Sequence, residues 1–301
     1  MRVLVTGAGG FLASYIIPAL VRRGDEVVGV DVNVKPAESA PNGLRDRVRF
    51  VNADIVDPVL SEQVLGVFDC VIHLAAIAAP RVCDADPSRA FDINVNGTHN
   101  VLKLAMKVGA KRVVFSSSAH CYGISPKYLP TDERHPLQLL DTYTTTKLLG
   151  EQLCRLFSDN YGLPHVTLRL YNGYGPGQTA GYFIPDMIAK AKAGRIAMKG
   201  SGVTKDWVFV EDVARAFVAA TDTPFVGALN VGSGVETSLG AIAGRIARAF
   251  DVPLTFLDYP KEQDTRMWCD GRWAGRVLGW TPRIDLDNGL AVTLREVLSG
   301  V

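Results

Sequence analysis

The feature that most constrains this chain is a strand that runs into glycines and opens directly into a helix, Val3-Leu4-Val5-Thr6-Gly7-Ala8-Gly9-Gly10-Phe11-Leu12-Ala13. Its apolar, β-branched run reads as a buried strand of a parallel sheet. Gly7 permits a tight turn, Gly10 lets backbone approach a pyrophosphate, and a small residue at position 13 lets the helix pack on the strand. Ala13 stands where glycine is more usual, a difference of one methyl group. The helix start offers free N–H groups and a partial positive charge, so the turn predicts a dinucleotide site.

Helix signals over 11 to 23 end at Gly24, and a second strand over 26 to 30 ends on Asp31, about 20 residues after the glycines. A carboxylate there hydrogen-bonds ribose hydroxyls and repels the extra phosphate of NADP, so the expected cofactor is NAD. A plain turn-forming role for Asp31 is the alternative.

Composition excludes several function classes. The chain has 301 residues, is 48% hydrophobic and carries a formal charge of +1, with basic residues scattered along it. That balance gives no footprint for nucleic acid or an anionic membrane surface. No apolar run approaches the roughly 18 residues of a membrane span, and the first strand is interrupted by glycines, so a cytoplasmic protein is expected. Five cysteines at wide spacing, with no Cys-x-x-Cys pair, predict buried thiols, with no disulfide or metal site implied.

Apolar strand patterns at 2–6, 26–30, 48–52, 69–74, 111–116 and 165–170 alternate with helical ones, which predicts an α/β fold with a doubly wound parallel sheet. The stretch 32–46, with Pro36, Pro41, Asn42 and Gly43, reads as a loop beside the adenosine pocket. Asp54 suits either the adenine amino group or the cap of a helix starting near Asp57. The small residues of His73-Leu74-Ala75-Ala76 end the fourth strand where room for the dinucleotide is needed, and His73 itself reads as structural. Asn94, polar on an apolar helix face, predicts a buried hydrogen-bonding role beneath the site.

The fifth strand runs into Ser116-Ser117-Ser118-Ala119-His120, a hydroxyl cluster where open α/β sheets bind ligands. Further on, Asp141-Thr142 can cap a helix carrying Tyr143 and Lys147 four residues apart, hence on one face. A tyrosine near its ordinary pKa of about 10 is a poor base at neutral pH, but a neighbouring ammonium and an oxidised nicotinamide both favour the phenolate. The pair is expected to lower the pKa of Tyr143 and let it take a proton from a sugar hydroxyl.

Over nearly its whole length the chain resembles the extended short-chain dehydrogenase/reductases, in particular the nucleotide-sugar epimerases and dehydratases. The likeness rests on Thr6-Gly-Ala-Gly-Gly-Phe11, Asp31, His73-Leu-Ala-Ala76, Asn94-Val-Asn-Gly-Thr98, Phe115-Ser-Ser-Ser-Ala119 with Tyr122-Gly123, and Tyr143 with Lys147. Arg169-Leu-Tyr-Asn172 with Tyr174-Gly-Pro176, Asp206-Trp-Val-Phe-Val210 with Asp212, and Asn230-Val-Gly-Ser-Gly234 extend it. The resemblance implies a Rossmann-type NAD-binding domain over 1–171, rejoined by the chain around 208–231, and a smaller C-terminal α/β substrate lobe over 172–301. It implies NAD contacts at Gly7, Gly10, Phe11, Leu12, Asp31, Asp54, Ile55, Leu74, Ala75, Ala76, Asn94, Ser116, Tyr143 and Lys147. Ser118 would polarise the reacting oxygen, Tyr143 would be the acid/base, Lys147 would hold the nicotinamide ribose, and Asn172 would contact the substrate diphosphate. Relatives are commonly dimers, which would use helices near 90–108 and 142–160.

Departures from the family pattern narrow the activity. Ser118-Ala119-His120 stands where many dehydratases read Thr-Asp-Glu, so the carboxylate pair used to eliminate water is missing. His120 is either a pocket wall or, titrating near 6.5, an acid/base at a neighbouring carbon. Lys205 stands where relatives carry an arginine, and Arg266 or Lys261 is left to complete the diphosphate clamp. The expected activity is 4-epimerisation of a nucleotide-diphosphate sugar through a transient 4-keto sugar. The alternatives are a 3,5-type epimerase using His120, a sugar oxidoreductase or dehydratase, and a non-catalytic NAD-binding regulator.

Overall fold

The computed structural model describes residues 1–33 and 47–299. Its strands are β1 (Arg2–Thr6), β2 (Glu26–Asp31), β3 (Val48–Asn52), β4 (Cys70–His73), β5 (Val113–Ser118), β6 (His165–Leu170), β7 (Asn172–Tyr174), β8 (Ile196–Met198), β9 (Thr204–Phe209), β10 (Gly227–Val231), β11 (Glu236–Ser238) and β12 (Leu254–Phe256). Its helices are α1 (Ala13–Arg23), α2 (Leu60–Gln63), α3 (Pro80–Ala85), α4 (Pro87–Phe91), α5 (Gly97–Lys107), α6 (Thr142–Tyr161), α7 (Phe183–Lys192), α8 (Val210–Ala220), α9 (Leu239–Phe250), α10 (Arg272–Leu278) and α11 (Leu286–Ser299).

Seven strands form one parallel sheet in the order β10-β6-β5-β4-β1-β2-β3. The order reverses between β1 and β4, and ligands of open α/β sheets bind at such a switch point, beyond the strand C-termini. The central strands are apolar throughout because helices cover both faces. Val3, Val5, Ile16, Leu20, Val213 and Phe217 form the core on one face; Leu4, Val28, Val71, Leu102, Phe115 and Phe157 form it on the other.

Beyond β6 the chain builds a three-stranded sheet, β11-β9-β7, and a two-stranded one, β12-β8. Tyr174, Ile184, Ile188, Phe209, Ile242 and Leu290 fill a third core there. The chain returns once to the large sheet, where β10 pairs in parallel with β6. The three-stranded sheet is mixed, β9 pairing antiparallel with β11 and parallel with β7, whereas β12 and β8 pair in parallel.

The expected strands match closely, with one informative difference. β5 runs two residues further than its apolar pattern, so all three serines lie within the strand and Ser118 is its last residue. The five cysteines are buried and free. Most of the 32–46 stretch, including Pro36, Pro41, Asn42 and Gly43, falls outside the described residues.

Candidate active site

The glycine turn has the geometry its sequence demands. Gly7 adopts a left-handed φ of 72°, and a Cβ built on it would lie 2.6 Å from the Ala75 nitrogen, so only glycine fits where the ends of β1 and β4 approach. Gly10 N–H donates to the Gly7 carbonyl at 3.0 Å, closing the turn. Leu12 stands at the α1 N-terminus with no side-chain cap, and the first turn holds no acidic residue. An uncapped, uncrowded helix start beside a glycine cradle fits a dinucleotide pyrophosphate. Phe11 packs edge-on against Tyr15, with ring centres 5.8 Å apart.

Asp31 ends β2 with its carboxylate directed at this turn, accepting from Gly9 N–H at 3.1 Å and Asn33 N–H at 3.0 Å. The carboxylate thus forms a local turn with Asn33 and ties the glycine turn to the end of β2. Asp54 is exposed and accepts from Val56 N–H at 3.0 Å in a local turn. The helix expected near Asp57 begins later, at Leu60, with no side-chain cap, so Asp54 caps no helix. Ile55 puts its side chain into the core against Gly97, where a Cβ would come within 2.6 Å of its Cδ1, so Ile55 has no side chain to offer a cofactor.

Leu74, Ala75 and Ala76 leave β4 half-buried at the switch point. His73 is enclosed between two threonines, Nδ1 lying 2.6 Å from Thr6 Oγ1 and Nε2 2.9 Å from Thr98 Oγ1. Thr98 donates its own proton to the Asn94 carbonyl, so Nε2 carries the imidazole hydrogen and donates to Thr98, while Nδ1 accepts from Thr6. Burial, reinforced by the Lys147 charge, pushes its pKa down to about 3, and the ring is neutral. His73 is structural, as its sequence context predicts.

Asn94 lies in a π-helical turn, Asp92–Asn96, and is 2% exposed. Its amide accepts from Ile77 N–H at 2.8 Å and donates to the Ile77 carbonyl at 3.1 Å and Thr146 Oγ1 at 2.9 Å. With both amide hydrogens used, Asn94 pins the 75–77 segment to α6; its direct partners are protein groups.

Asp141 caps α6 through Thr144 N–H at 2.7 Å, which fixes where Tyr143 and Lys147 emerge. Tyr143 lies beside Ser118, whose Oγ accepts from His120 N–H at 3.2 Å. Lys147 Nζ donates to the Ser116 carbonyl at 2.9 Å and stands 6.0 Å from the centre of the Tyr143 ring. The sequence therefore brings Ser116, Ser118, Tyr143 and Lys147 together beside the switch point.

The expected lowering of the Tyr143 pKa is not a property of the chain by itself. Burial pushes the phenol above its ordinary value, and the neighbouring Ser118 hydroxyl only partly opposes that. The same burial brings Lys147 down to about 8. A desolvated phenol becomes a base only when further positive charge arrives beside it.

His120 faces Tyr143 edge-on, with ring centres 6.2 Å apart. Burial and the charge of Lys205 hold its pKa below the usual histidine value, so it is neutral at pH 7. Lys205 lies on β9 and is itself lowered by burial. Asn172, at the start of β7, donates to the Asp206 carbonyl at 2.9 Å and is in register with Trp207. The buried Trp207 Nε1 has no hydrogen-bond partner among the described residues, so polar capacity is left over along this edge. Arg266 differs from expectation: its guanidinium is held by both oxygens of Glu236, at 2.7 and 2.8 Å, and its fork is already engaged within the protein. Lys261 lies on the short turn Lys261–Gln263, whose residues are all exposed.

Two buried charges were given no role by the sequence reading. Asp206 is fully buried and accepts from Ser233 N–H and Oγ, Gly234 N–H and Cys269 N–H. Glu151 receives both Arg169 Nε at 3.0 Å and Nη2 at 2.7 Å. Four-residue spacing from Tyr143 through Lys147 to Glu151 was the available signal for the second.

Comparison with known proteins agrees with this geometry. Residues 3–232 match the NAD dependent epimerase/dehydratase family. The UDP-glucose 4-epimerase of Mycolicibacterium smegmatis is 35% identical, covering 98% of this chain and 97% of its own. A putative UDP-glucose 4-epimerase of Methanocaldococcus jannaschii is 34% identical, covering 96% and 95%. The crystal structure of the Thermotoga maritima UDP-glucose 4-epimerase with UDP-glucose superposes with a TM-score of 0.90 at 27% identity, over 100% of this chain and 99% of the other. That of the Thermus thermophilus UDP-glucose 4-epimerase with NAD gives 0.87 at 27% identity, over the whole of both chains. With the glycine cradle, the Asp31 carboxylate and the Ser118, Tyr143 and Lys147 cluster in place, this chain belongs to the NAD-dependent epimerase/dehydratase family, among the extended short-chain dehydrogenases.

Proposed function

We propose that this protein is an NAD-dependent nucleotide-sugar epimerase acting at C4, with UDP-sugars as the first substrates to test. The observation that carries the reading is the Ser118–Tyr143–Lys147 cluster flanked by Ala119 and His120, with no carboxylate where dehydration would need one. Two relatives of comparable length are a UDP-glucose 4-epimerase and a putative one, which supports the choice of carbon and nucleotide.

In this mechanism the Gly7–Gly10 turn would hold the dinucleotide, Asp31 its adenosine ribose and Lys147 its nicotinamide ribose. Bound NAD supplies a hydride acceptor and donor. Ser118 orients the C4 oxygen toward Tyr143, whose phenolate takes the hydroxyl proton as a keto group forms at C4. Tyr143 would reach its basic form only with positive charge beside it beyond that of Lys147. After the keto sugar turns over, Tyr143 returns the proton to the oxygen, leaving C4 inverted and no net redox change. Lys205, Asn172 and the Trp207 edge face the diphosphate and nucleotide.

A second reading is favoured by the neutral His120 beside Tyr143: proton transfer at a carbon next to the ketone, as in a 3,5-type epimerase. One experiment separates the two. The native protein is denatured and its released dinucleotide identified by mass spectrometry, while native protein is incubated with UDP-, GDP-, dTDP- and CDP-sugars and followed by NMR. The expected result is retained NAD and inversion at C4 without added cofactor. Inversion at C3 or C5 moves the assignment to His120, and turnover only with added NAD or NADH moves it to an oxidoreductase.

A further inference from the structure

Tyr143, Lys147 and Glu151 follow one another at four-residue steps, so Glu151 lies two turns below the phenol on the same face of α6. There it accepts Ser117 Oγ at 2.5 Å in addition to the two Arg169 bonds. Ser117 and Arg169 are register partners across β5 and β6. Arg169 Nη1 in turn donates to Tyr122 Oη at 3.0 Å, and its guanidinium lies 5.2 Å from the Tyr122 ring centre. Tyr122 donates to Asn230 Oδ1 at 2.6 Å, which carries the chain of bonds into β10. Glu151 and Arg169 are 6% and 5% exposed.

Burying such a pair removes both ions from water, a penalty that roughly cancels their attraction, so stability alone does not account for it. What a bidentate, charge-assisted pair supplies is direction. We propose that Glu151 and Arg169 are positioning residues for the reaction: as an ion pair beneath the site they lock the exit of β5, which carries Ser118 and His120, against the helix that carries Tyr143 and Lys147. The pair reaches β5 at two places, through Ser117 within the strand and through Tyr122 just after it. Both flank Ser118, the residue that must meet the phenol. Glu151 also bears on Lys147. The neighbouring thiols of Cys83, Cys121 and Cys154 are kept protonated by burial, which leaves the Glu151 carboxylate as the charged neighbour favouring the ammonium.

The inference rests on the proposed reaction, and its test keeps the two apart. Glu151→Gln strands a buried guanidinium and risks misfolding, so Ser117→Ala and Tyr122→Phe are made beside it; each removes one hydroxyl and leaves the ion pair intact. In NAD-loaded protein the ionisation of Tyr143 is followed by tyrosinate absorbance, each variant being subtracted against the same variant carrying Tyr143→Phe. The expected result is a rise of at least about half a pH unit in the Tyr143 midpoint as Ser118 loosens, with kcat on a UDP-sugar lowered about tenfold and KM within about threefold. A midpoint and kcat equal to wild type in folded Ser117→Ala and Tyr122→Phe, even with a lower Tm, would reduce the pair to a structural contact and overturn the proposal. If wild-type protein turns over no sugar, the epimerase reading fails, and the Tyr143 midpoint still decides for or against the pair.

Discussion

Lys147 directs its ammonium at the Ser116 carbonyl, 2.9 Å away, and in doing so sits 6.0 Å from the centre of the Tyr143 ring. The lysine is anchored to the strand that bears Ser118, and its distance from the phenol is set by that anchor. Burial then controls both groups, raising the phenol and bringing the lysine to about 8. In the proposed reaction, proton transfer through Tyr143 therefore depends on the loaded site. Tyr143→Phe is expected to keep NAD bound and to lower turnover at least about a hundredfold, the usual scale for a lost general acid/base. Turnover near wild type in steady-state assays would remove Tyr143 from the mechanism.

The same burial gives Lys147 a signature in folding. Its pKa lies near 8 in the folded chain and near 10.5 in the unfolded one. Between those values the unfolded chain binds more protons, so stability rises with pH across this window. Relative to Lys147→Met, wild-type protein should gain on the order of 3 kcal/mol between pH 7.5 and 10.5. Urea unfolding of both proteins across that range measures the difference, and a flat difference would show the ammonium to be well solvated.

His73 predicts the acid limb. With its folded pKa near 3 and an unfolded value near 6.5, the unfolded chain takes up the extra proton on acidification. Stability should fall below about pH 6.5 by up to about 1.4 kcal/mol per pH unit from this residue. His73→Gln should flatten the decline when unfolding is compared at pH 6.5 and 5. An unchanged slope would mean the imidazole is protonated in place.

Asp31→Ala is expected to narrow the preference for NAD over NADP, because it removes the carboxylate that repels a 2′-phosphate. It also releases the Gly9 and Asn33 amides that the carboxylate holds. Affinities for both dinucleotides, measured by fluorescence titration, should converge; an unchanged ratio would assign Asp31 to the turn alone.

Leu149 and Leu156 are exposed on α6, and with Val95 and Leu153 they line a groove rimmed by Gln152, Arg155 and Asp159. We infer a homodimer built on α5 and α6, and Leu156→Asp should convert it to monomer in light scattering. A wild-type monomer at micromolar concentration would exclude that interface.

Much of this was legible in the sequence because local chemistry decided it. The Gly7 turn, the Asp141 cap and the Tyr143–Lys147 step each lie within one turn or one helix. The ends of β4 and β5 followed from apolar patterns, although Ser117 and Ser118 read as post-strand residues while pairing in the sheet up to Leu170. What remained hidden was long-range. Arg266 looks like a free cation until Glu236 is brought beside it, and Ile55 looks like a pocket residue until Gly97 opens room for it in the core. The rise in the Tyr143 pKa was missed because pattern gives neighbours but not solvent.

The pairing of β10 with β6 bears on how the protein is made. Residues 227–231 supply the last strand of a sheet whose other six strands are complete by residue 170. During synthesis the edge of β6 waits unpaired while more than fifty further residues leave the ribosome, and Tyr122 waits for Asn230 to accept its proton. An unpaired strand edge is a template for association with other chains. The interval between residues 170 and 227 is thus the stretch of translation in which this fold depends most on being shielded from its neighbours.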